Sequence, residues 1–287
     1  MAKNILHTIE KNMISFSKGQ KLIARYILEN YDKAAFMTAS KLGKTVQVSE
    51  STVVRFATQL GYEGYPEMQR ALQEMIRGKL TSIQRIQASD ETLSGGDLVT
   101  NVLHRDMTKI RMAIDQSDPA EFERVVDTVA GAKRIYIVGF RSSSFLAGYL
   151  NFYFRLIFDN VTLVQGGAAG TFDQIFRVGP GDVVFAICFP RYSELALKTI
   201  SFAKERGATI VGLTDSEMSP VARASENVLL VHNEMISFVD SLAAPMSMLN
   251  ALILAAARKK GTDVSASFSE LEHIWERYDI FGKVEDE

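Results

Sequence analysis

The stretch ASKLGKTVQVSESTVVRFATQLGYEGYPEMQ, from Ala39 to Gln69, has the pattern of two short helices around a tight turn. The apolar positions of the first helix and its turn are Leu42, Val46 and Val48. A second helix of about three turns follows, because apolar residues recur there at helical spacing. Its predicted buried stripe consists of Val53, Val54, Phe56, Ala57 and Leu60. The stretch therefore predicts a helix-turn-helix.

The ends and the outer face of the second helix are also marked in the sequence. Ser49 is placed to cap its start with a hydroxyl, and Gly61 is placed to end it in a left-handed conformation. The residues left facing outward are Ser49, Ser51, Thr52 and Arg55. A polar face of this length suits the major groove of DNA.

An ordinary pair of antiparallel helices has the same spacing of apolar residues as a DNA-binding module. The net charge of the segment distinguishes the two. Residues 1–88 hold 13 Lys and Arg against 7 Asp and Glu, a net charge of +6, and the whole chain is at −2. The remainder therefore carries a net charge of −8. A basic module joined to an acidic one is expected of a nucleic-acid binder with a separate sensing or assembly domain.

Composition indicates an ordinary cytoplasmic protein of two domains. The chain has 287 residues, of which 47% are hydrophobic and 23% charged. Its only cysteine, Cys188, cannot form an internal disulfide, and no signal peptide opens the chain. The uncharged stretch Ser241–Ala257 is too short for a membrane span and predicts a buried helix. Four scattered histidines predict no metal site, and no cofactor or membrane partner is expected.

The order of elements predicts an all-α domain followed by an α/β domain. The predicted helices of the first part are Ile5–Ile14, Ser17–Asn30, Thr38–Thr45, Ser49–Leu60 and Tyr65–Ile86. The polar run ASDETLSGGD, from Ala88 to Asp97, breaks this periodicity. We therefore expect a DNA-binding domain at residues 1–88, a linker at 89–97 and a second domain at 98–287. Leu98–Ser117 and Pro119–Gly131 are expected to be the first helices of the second domain.

After Gly131, short apolar runs alternate with helical segments such as Ser193–Arg206. The predicted strands are RIYIVG, VTLV, DVVFAICF, TIVGLT and NVLLV. Such alternation predicts a five-stranded parallel sheet sandwiched by helices. Ligands of these sheets bind at the carboxyl ends of the strands, so the residues after Val138, Cys188 and Leu213 are the candidate site.

Hydroxyls and arginines follow two of the strands, in the runs GFRSSSFLA and CFPRYSELA. Backbone amides at a helix start attract phosphate or carboxylate, and serine hydroxyls and guanidinium groups add donors. The predicted ligand residues are Arg141, Ser142, Ser143, Ser144, Arg191, Tyr192 and Ser193. The alternative is that Ser142 and Ser193 only cap their helices, and the two roles are compatible. Cys188 is more typical of a small core residue than of a nucleophile.

The run SESTVVRFATQLGYEGY resembles the recognition-helix region of the RpiR family of bacterial transcription regulators. The resemblance implies that Ser49, Ser51, Thr52 and Arg55 lie at or near double-stranded operator DNA, with Lys41 and Lys44 available for the phosphates. Arginine can bind guanine or a phosphate, and hydroxyls can bind bases or backbone, so specificity stays open.

Residues of about 122–262 resemble an SIS (sugar isomerase) domain, the phosphosugar-binding module that follows the helix-turn-helix in RpiR-type proteins. Ser143 matches the serine of the family's first ligand loop, and Ser193 matches the hydroxyl residue that ends the second. The usual first loop has glycine in place of Arg141. The usual second loop has two serines and a glycine where this chain has Cys188, Pro190 and Arg191. These departures imply a changed anionic ligand or a purely assembly role.

We therefore expect a non-enzymatic regulator whose SIS-like domain binds a small anionic effector, such as a sugar phosphate or sugar acid, and holds a homodimer or a dimer of dimers. One rival is an SIS-like domain that only dimerises. The other is a sugar-phosphate isomerase, for which the candidate acid–base residues, in no recognisable pattern, are Glu194, Asp215, His232 and Glu234.

Overall fold

The computed structural model describes residues 5–76, 83, 86, 97–231 and 239–281. The chain divides into two compact units, the second of which begins at Asp97. The predicted linker at 89–97 lies outside the described residues except for Asp97, so that boundary stays a prediction. Asp97 caps the next helix, because its carboxylate accepts from the backbone amides of Val99 and Thr100 at 3.1 and 3.3 Å.

The described part of the N-terminal unit is helical, as expected. Its helices are α1 (Ile5–Asn12), α2 (Lys18–Glu29), α3 (Tyr31–Ala34), α4 (Ala39–Thr45), α5 (Glu50–Gln59) and α6 (Tyr65–Ile76). α3, a single turn that begins where α2 ends, is not among the helices predicted from the sequence. Most of the predicted continuation of α6 to Ile86 lies outside the described residues.

One hydrophobic core joins the helices of this unit. Phe16 and Phe56 pack with ring centroids 5.0 Å apart, and Phe56 is fully buried on α5. Other fully buried members are Ile9, Ile23, Ile27, Leu42, Met68 and Leu72. Burial of each such side chain contributes about 1.5–3 kcal/mol. The core therefore anchors α5 through its inner face and leaves its outer face open.

The C-terminal unit alternates helices and strands. Its helices are α7 (Leu98–Gln116), α8 (Pro119–Ala130), α9 (Ser143–Ile157), α10 (Ala168–Ile175), α11 (Glu194–Glu205), α12 (Pro220–Ala224), α13 (Ala243–Lys260) and α14 (Thr262–Arg277). Its strands are β1 (Ile135–Gly139), β2 (Val161–Val164), β3 (Val183–Ile187), β4 (Thr209–Thr214) and β5 (Asn227–Leu230). The sequence-predicted strands are confirmed to within a few residues.

The strands form one parallel sheet in the order β2-β1-β3-β4-β5. Residues of β1 pair with both neighbours: Ile135 lies beside Val161 of β2 and beside Val183 of β3. The predicted fold class, a helical domain followed by a helix-covered five-stranded parallel sheet, is confirmed. β2, the next strand in the chain, pairs with one edge of β1, whereas β3 pairs with the opposite edge. The direction in which strands are added to the sheet therefore reverses between β1 and β3.

Alternate residues of the strands pack against different helices. Ile137, Phe185 and Leu213 belong to a core with α8, α9 and α13. Val138 and Ala186 belong to a core with α10, α11 and α12. Since both faces of the central strands are covered, β1 and β3 are buried along their whole length, and the groups of a site between them must come from the ends of the sheet.

The uncharged stretch Ser241–Ala257 falls largely in α13, which is buried on one side only. Leu249 and Leu252 are buried, whereas Leu254 is 66% exposed. The prediction of a buried helix therefore holds for one face. Within the described residues no helix is long and apolar enough to cross a membrane.

Candidate functional site

The helix-turn-helix is built by α4, α5 and the residues between them. Gln47 in the turn has a φ of 58°, a left-handed conformation. Ser49 caps α5 as predicted, because its Oγ accepts from the backbone amide of Thr52 at 3.3 Å. A Cβ on Gly43 of α4 would lie 2.9 Å from the carbonyl oxygen of Val48. Glycine at position 43 is therefore what lets the turn approach α4.

The outer face of α5 differs from the prediction at one residue. Val53 and Ala57 are buried, but Val54 is 39% exposed, so the prediction that Val54 is buried is wrong. Successive residues of a helix are about 100° apart, which turns Val54 away from Val53 and toward Ser51 and Arg55. An apolar side chain therefore lies on the polar face of α5.

The hydroxyls at the start of α5 form a cluster. Ser49 Oγ lies 2.9 Å from Ser51 Oγ and 2.8 Å from Thr52 Oγ1. Arg55 Nε donates to the carbonyl oxygen of Ser51 at 3.2 Å, so its guanidinium lies beside the cluster. Thr52 is half-buried rather than fully outward. The predicted DNA contacts that are exposed are Lys41, Lys44, Ser49, Ser51 and Arg55.

Hydrogen bonds within the N-terminal unit fix the position of α5 and α6. Gln20 Nε2 donates to Gln59 Oε1 at 2.7 Å, which joins α2 to the end of α5. Tyr65 Oη donates to the carbonyl oxygen of Met37 at 2.6 Å, which joins α6 to the residues before α4. Burial raises the pKa of Tyr65, so the hydroxyl keeps its proton. The helix-turn-helix is thus held by one hydrogen bond from α2 to the end of α5 and one from α6 to the residues before α4.

The second candidate site lies where β1 ends and α9 begins. A Cβ on Gly139 would lie 2.6 Å from the carbonyl oxygen of Ser143 and 2.9 Å from Cβ of Ala147. The helix therefore starts directly above the strand end. Arg141, between them, has a φ of 58° and an exposed side chain.

The three serines of this loop are used differently. Ser143 is 5% exposed, and Ser144 Oγ donates to the carbonyl oxygen of Arg141 at 2.6 Å. Ser142 precedes α9 but makes no side-chain cap, so the capping alternative is wrong for this residue. Its Oγ donates instead to Oδ2 of Asp240 at 3.1 Å. No sequence pattern indicated Asp240, which is 98 positions away in the chain.

The loop after β3 is tied to the end of β4. Ser193 caps α11, accepting from the amide of Ala196 at 3.4 Å, as the capping alternative predicted. Tyr192 Oη donates to Oδ1 of Asp215 at 2.8 Å, and Thr214 Oγ1 lies 3.3 Å from the same oxygen. Asp215 is 7% exposed, so it is a buried support for Tyr192 rather than an accessible acid or base.

Arg191 in the loop after β3 has a φ of 66°, and Arg141 in the loop after β1 has a φ of 58°. Residues other than glycine seldom adopt this conformation, which costs on the order of 1 kcal/mol or more. Such strain persists where the surrounding structure enforces it, and it clusters at ligand sites. Both residues stand where the SIS resemblance expects glycine or a small donor.

The two loops are neighbours because their strands pair, with Gly139 beside Ile187. They flank the point where the strand order reverses, and in such sheets this is where ligands bind. The structure thus brings the two predicted ligand runs to one edge of the sheet. Two guanidinium groups and the starts of α9 and α11 make this edge favourable for an anion.

Cys188 directly follows β3 but does not contribute reactive chemistry. It is 3% exposed, and burial raises the pKa of its thiol to about 11. A thiol with that pKa stays protonated at neutral pH and is a poor nucleophile.

Two cavities occur elsewhere in the C-terminal unit. One of about 650 Å³ lies between α7, α8, β5 and α13, with largely apolar walls that include Ile114, Phe122 and Met248. Another of about 480 Å³ lies between the end of α9 and α14. Neither contains a predicted ligand residue. Compared with these two cavities, the strand-end loops are the better anion site because they combine hydroxyls, helix starts and two arginines.

Comparisons with known proteins agree with both halves of this description. The helix-turn-helix domain of the rpiR family matches residues 3–79, and the SIS domain matches residues 128–255. An uncharacterized HTH-type transcriptional regulator of Caldanaerobacter subterraneus is 25% identical over 272 residues, covering 91% of this chain and 93% of the relative.

Solved structures show the same fold. The NanR protein of Vibrio vulnificus, complexed with ManNAc-6P, matches with a TM-score of 0.60 and 22% identity over 98% of this chain and 100% of that chain. The sugar isomerase domain of an RpiR transcription factor from Sphaerobacter thermophilus has the same TM-score and identity over 62% of this chain and 99% of its own.

Proposed function

Because the chain belongs to the rpiR family of transcriptional regulators, with a helix-turn-helix domain followed by an SIS domain, we propose that α5 reads operator DNA and that the C-terminal unit senses an anionic carbohydrate metabolite. The DNA-binding part of this proposal rests on the capped, polar outer face of α5, which belongs to a unit with a net charge of +6 over residues 1–88. The C-terminal unit also holds two copies together in this proposal.

The hydroxyl cluster of Ser49, Ser51 and Thr52 and the guanidinium of Arg55 are the groups that contact bases or backbone. Lys41 and Lys44 on α4 neutralise phosphates. The exposed Val54 adds a contact of another kind, because an apolar side chain can pack on the methyl group of thymine. α4 and the outer face of α5 therefore offer together phosphate contacts that position the protein and polar and apolar contacts that can read bases.

The DNA proposal is tested with DNA selected from a random pool by the wild-type protein. Arg55→Ala should lose about 1–3 kcal/mol of affinity and relax the preference at one base position if Arg55 reads a base. Arg70→Ala removes the same charge from the exposed face of α6 and is the matched control. If both variants lose the same affinity, or neither loses any, α5 is not the reading helix.

The sensing proposal rests on the edge between β1 and β3. The loops that hold Arg141 and Arg191 follow paired strands there, each loop leads into a helix start, and both arginines have a left-handed φ. The ManNAc-6P bound by NanR is a phosphosugar, which supports the same class of ligand here. A sugar acid fits the two guanidinium groups as well. Of the candidate acid–base residues, Asp215 is buried against Tyr192 and Glu194 is exposed to solvent, whereas His232 and Glu234 lie outside the described residues.

A thermal-shift screen of sugar phosphates and sugar acids tests this proposal, since a ligand of the folded form raises the transition temperature. The double variant Arg141→Gly with Arg191→Gly removes both charges and also relieves two strained conformations. We expect its unliganded transition temperature to stay within a few degrees of wild type and the ligand-induced rise to be lost. Arg111→Ala, on the exposed face of α7, is the charge-matched control.

Two results would change the assignment. A full response in the double variant would place the ligand elsewhere. A wild-type protein that responds to no anion would favour the alternative in which the SIS domain serves only for dimerisation.

The dimer proposal rests on α7. Its exposed apolar row consists of Leu98, Val99, Val102, Leu103 and Met107, each between 44% and 63% exposed. The same side of α7 is packed farther along, where Ala113 is buried in the core with α13. An apolar helix face that continues past its packing partner is typical of an interaction surface. A second copy of the chain is the partner that would bring two reading helices to a two-fold operator.

A further inference from the structure

Asp240 lies beside the start of α9. Its Oδ2 accepts from Ser142 Oγ at 3.1 Å, and Ser142 is the residue at which α9 begins its first turn. Ser142 has helical φ and ψ and does not cap the helix with its own side chain. Its hydroxyl is therefore directed to a carboxylate from a distant part of the chain.

A carboxylate that accepts from Ser142 lies beside the position that an anionic ligand at this helix start would take. The amide dipoles at a helix start favour negative charge, and a hydroxyl donor favours it further. A phosphate bound at the same start would face the carboxylate at short range, and like charges at such a distance repel. The start of α9 therefore cannot favourably hold both anions.

The next residue connects this contact to α7. Ser241 Oγ donates to Oδ1 of Asp106 at 2.6 Å, and Asp106 lies on α7. Asp106 is also 3.8 Å from Nζ of Lys109, which is only 7% exposed. Asp240 and Ser241 thus link the loop after β1 to α7. This helix carries the exposed apolar row and begins the C-terminal unit.

We propose that Asp240 is an internal competitor of the effector: it holds the anion position at Ser142 until a phosphate displaces it, and its departure loosens the Ser241–Asp106 contact with α7. This inference rests on the proposed sensing function and adds its regulation. It also names the class of effector. A phosphate monoester carries a charge of about −1.5 to −2 at pH 7, so it displaces a carboxylate more readily than a sugar acid of charge −1 does.

Asp240→Asn tests the competition with inorganic phosphate and acetate as probes, titrated by calorimetry into the full chain. Loss of one negative charge beside the site should tighten phosphate binding about 5- to 10-fold. Acetate should bind the variant measurably and the wild type hardly at all. Asp115→Asn, which removes the same charge from an exposed position of α7, should bind phosphate as wild type does.

The outcomes separate this inference from the sensing function. Unchanged or weaker phosphate binding in Asp240→Asn overturns the competitor role, and weaker binding would make Asp240 a ligand contact. The sensing function survives either result if Arg141→Gly with Arg191→Gly abolishes phosphate binding. Absence of phosphate binding in both wild type and Asp240→Asn overturns the competitor role, and the thermal-shift screen of sugar phosphates and sugar acids then decides the sensing function separately.

Hydrogen exchange tests the link to α7. Phosphate should speed amide exchange in residues 98–107 of the wild type. Ser241→Ala should bind phosphate more tightly than the wild type, because the contact that phosphate must loosen is already lost, and exchange in α7 should already be fast and should not respond. Ser247→Ala is the matched control, because its hydroxyl bonds only within α13, to the carbonyl oxygen of Ala243 at 3.0 Å. Phosphate that binds without changing exchange in α7 overturns the link.

Discussion

Tyr192 Oη donates a hydrogen bond of 2.8 Å to Oδ1 of Asp215, and this bond joins the loop after β3 to the end of β4. Asp215 is 7% exposed, so its carboxylate relies on protein donors rather than on water. The bond also lies next to Arg191, whose φ of 66° is one of the two strained conformations at the sheet edge. Tyr192 therefore fixes the loop after β3 to the end of β4.

Tyr192→Phe should destabilise the fold by about 1–3 kcal/mol, because a buried carboxylate loses a donor. It should also weaken anion binding, since the loop after β3 loses its hydrogen bond to Asp215. Denaturation in urea measures the first effect and calorimetry the second. Tyr149→Phe is the control, since Tyr149 donates at 2.7 Å to the exposed Asn250, and it should cost less. Equal losses in the two variants would contradict a special role for Tyr192.

Gly139→Ala should destabilise the C-terminal unit by about 1–3 kcal/mol, as overpacking does in a filled core. The added Cβ would lie 2.6 Å from a backbone oxygen of α9, which cannot move without shifting the helix. Gly148→Ala is the control within α9, where a Cβ meets nothing within 4 Å. It should stabilise by about 0.5–1 kcal/mol through helix propensity. A harmless Gly139→Ala would contradict the close packing of α9 on β1.

Cys188 should make stability fall between pH 9 and pH 11. Its pKa is raised by burial from 9.0 to about 11 in the folded state, so folding binds the proton more tightly. The contribution is fully present below the unfolded pKa and is lost as pH rises through the folded one, at about 2–3 kcal/mol in all. Cys188→Ala should lose less stability than wild type between pH 8 and pH 10.5 in urea denaturation. Parallel losses would contradict burial as the cause.

Leu103→Glu with Met107→Glu should dissociate the proposed dimer, because two charges would be buried in the exposed apolar row of α7. Each chain should stay folded, since both side chains are about 60% exposed. Sedimentation measures the mass. His104→Glu with Thr108→Glu adds the same charges to the other side of α7 and should leave the dimer intact. A dimer that persists in the first variant places the interface elsewhere.

Local signals in the sequence were sufficient for most of the fold. Ser49 and Gly61 mark the ends of α5, and the structure has the cap at Ser49 and a φ of 93° at Gly61. Caps depend on residues three positions apart, so the sequence contains the whole interaction. The strands were equally readable, because a sheet covered on both faces requires continuous apolar runs.

The errors occur where a neighbour in space decides the outcome. The apolar character of Val54 predicts that it belongs to the buried stripe, but the packing of α5 leaves it on the outer face. Ser142 was a candidate cap, and the structure gives its hydroxyl to Asp240 instead. In both cases the residue type permits either arrangement. What decides between them, the packing of α5 for Val54 and the carboxylate of Asp240 for Ser142, comes from residues that are distant in the chain.

The sequence by itself determined the helix-turn-helix, the parallel sheet and the two loops rich in serine and arginine, because each follows from periodicity, capping and residue type within one segment. The tertiary structure alone decided which groups meet. Tyr192 reaches Asp215 across 23 positions, and Ser241 reaches Asp106 across 135. Hydrogen bonds of that range depend on how strands and helices pack, since one residue's shift in register would redirect every side chain that makes them.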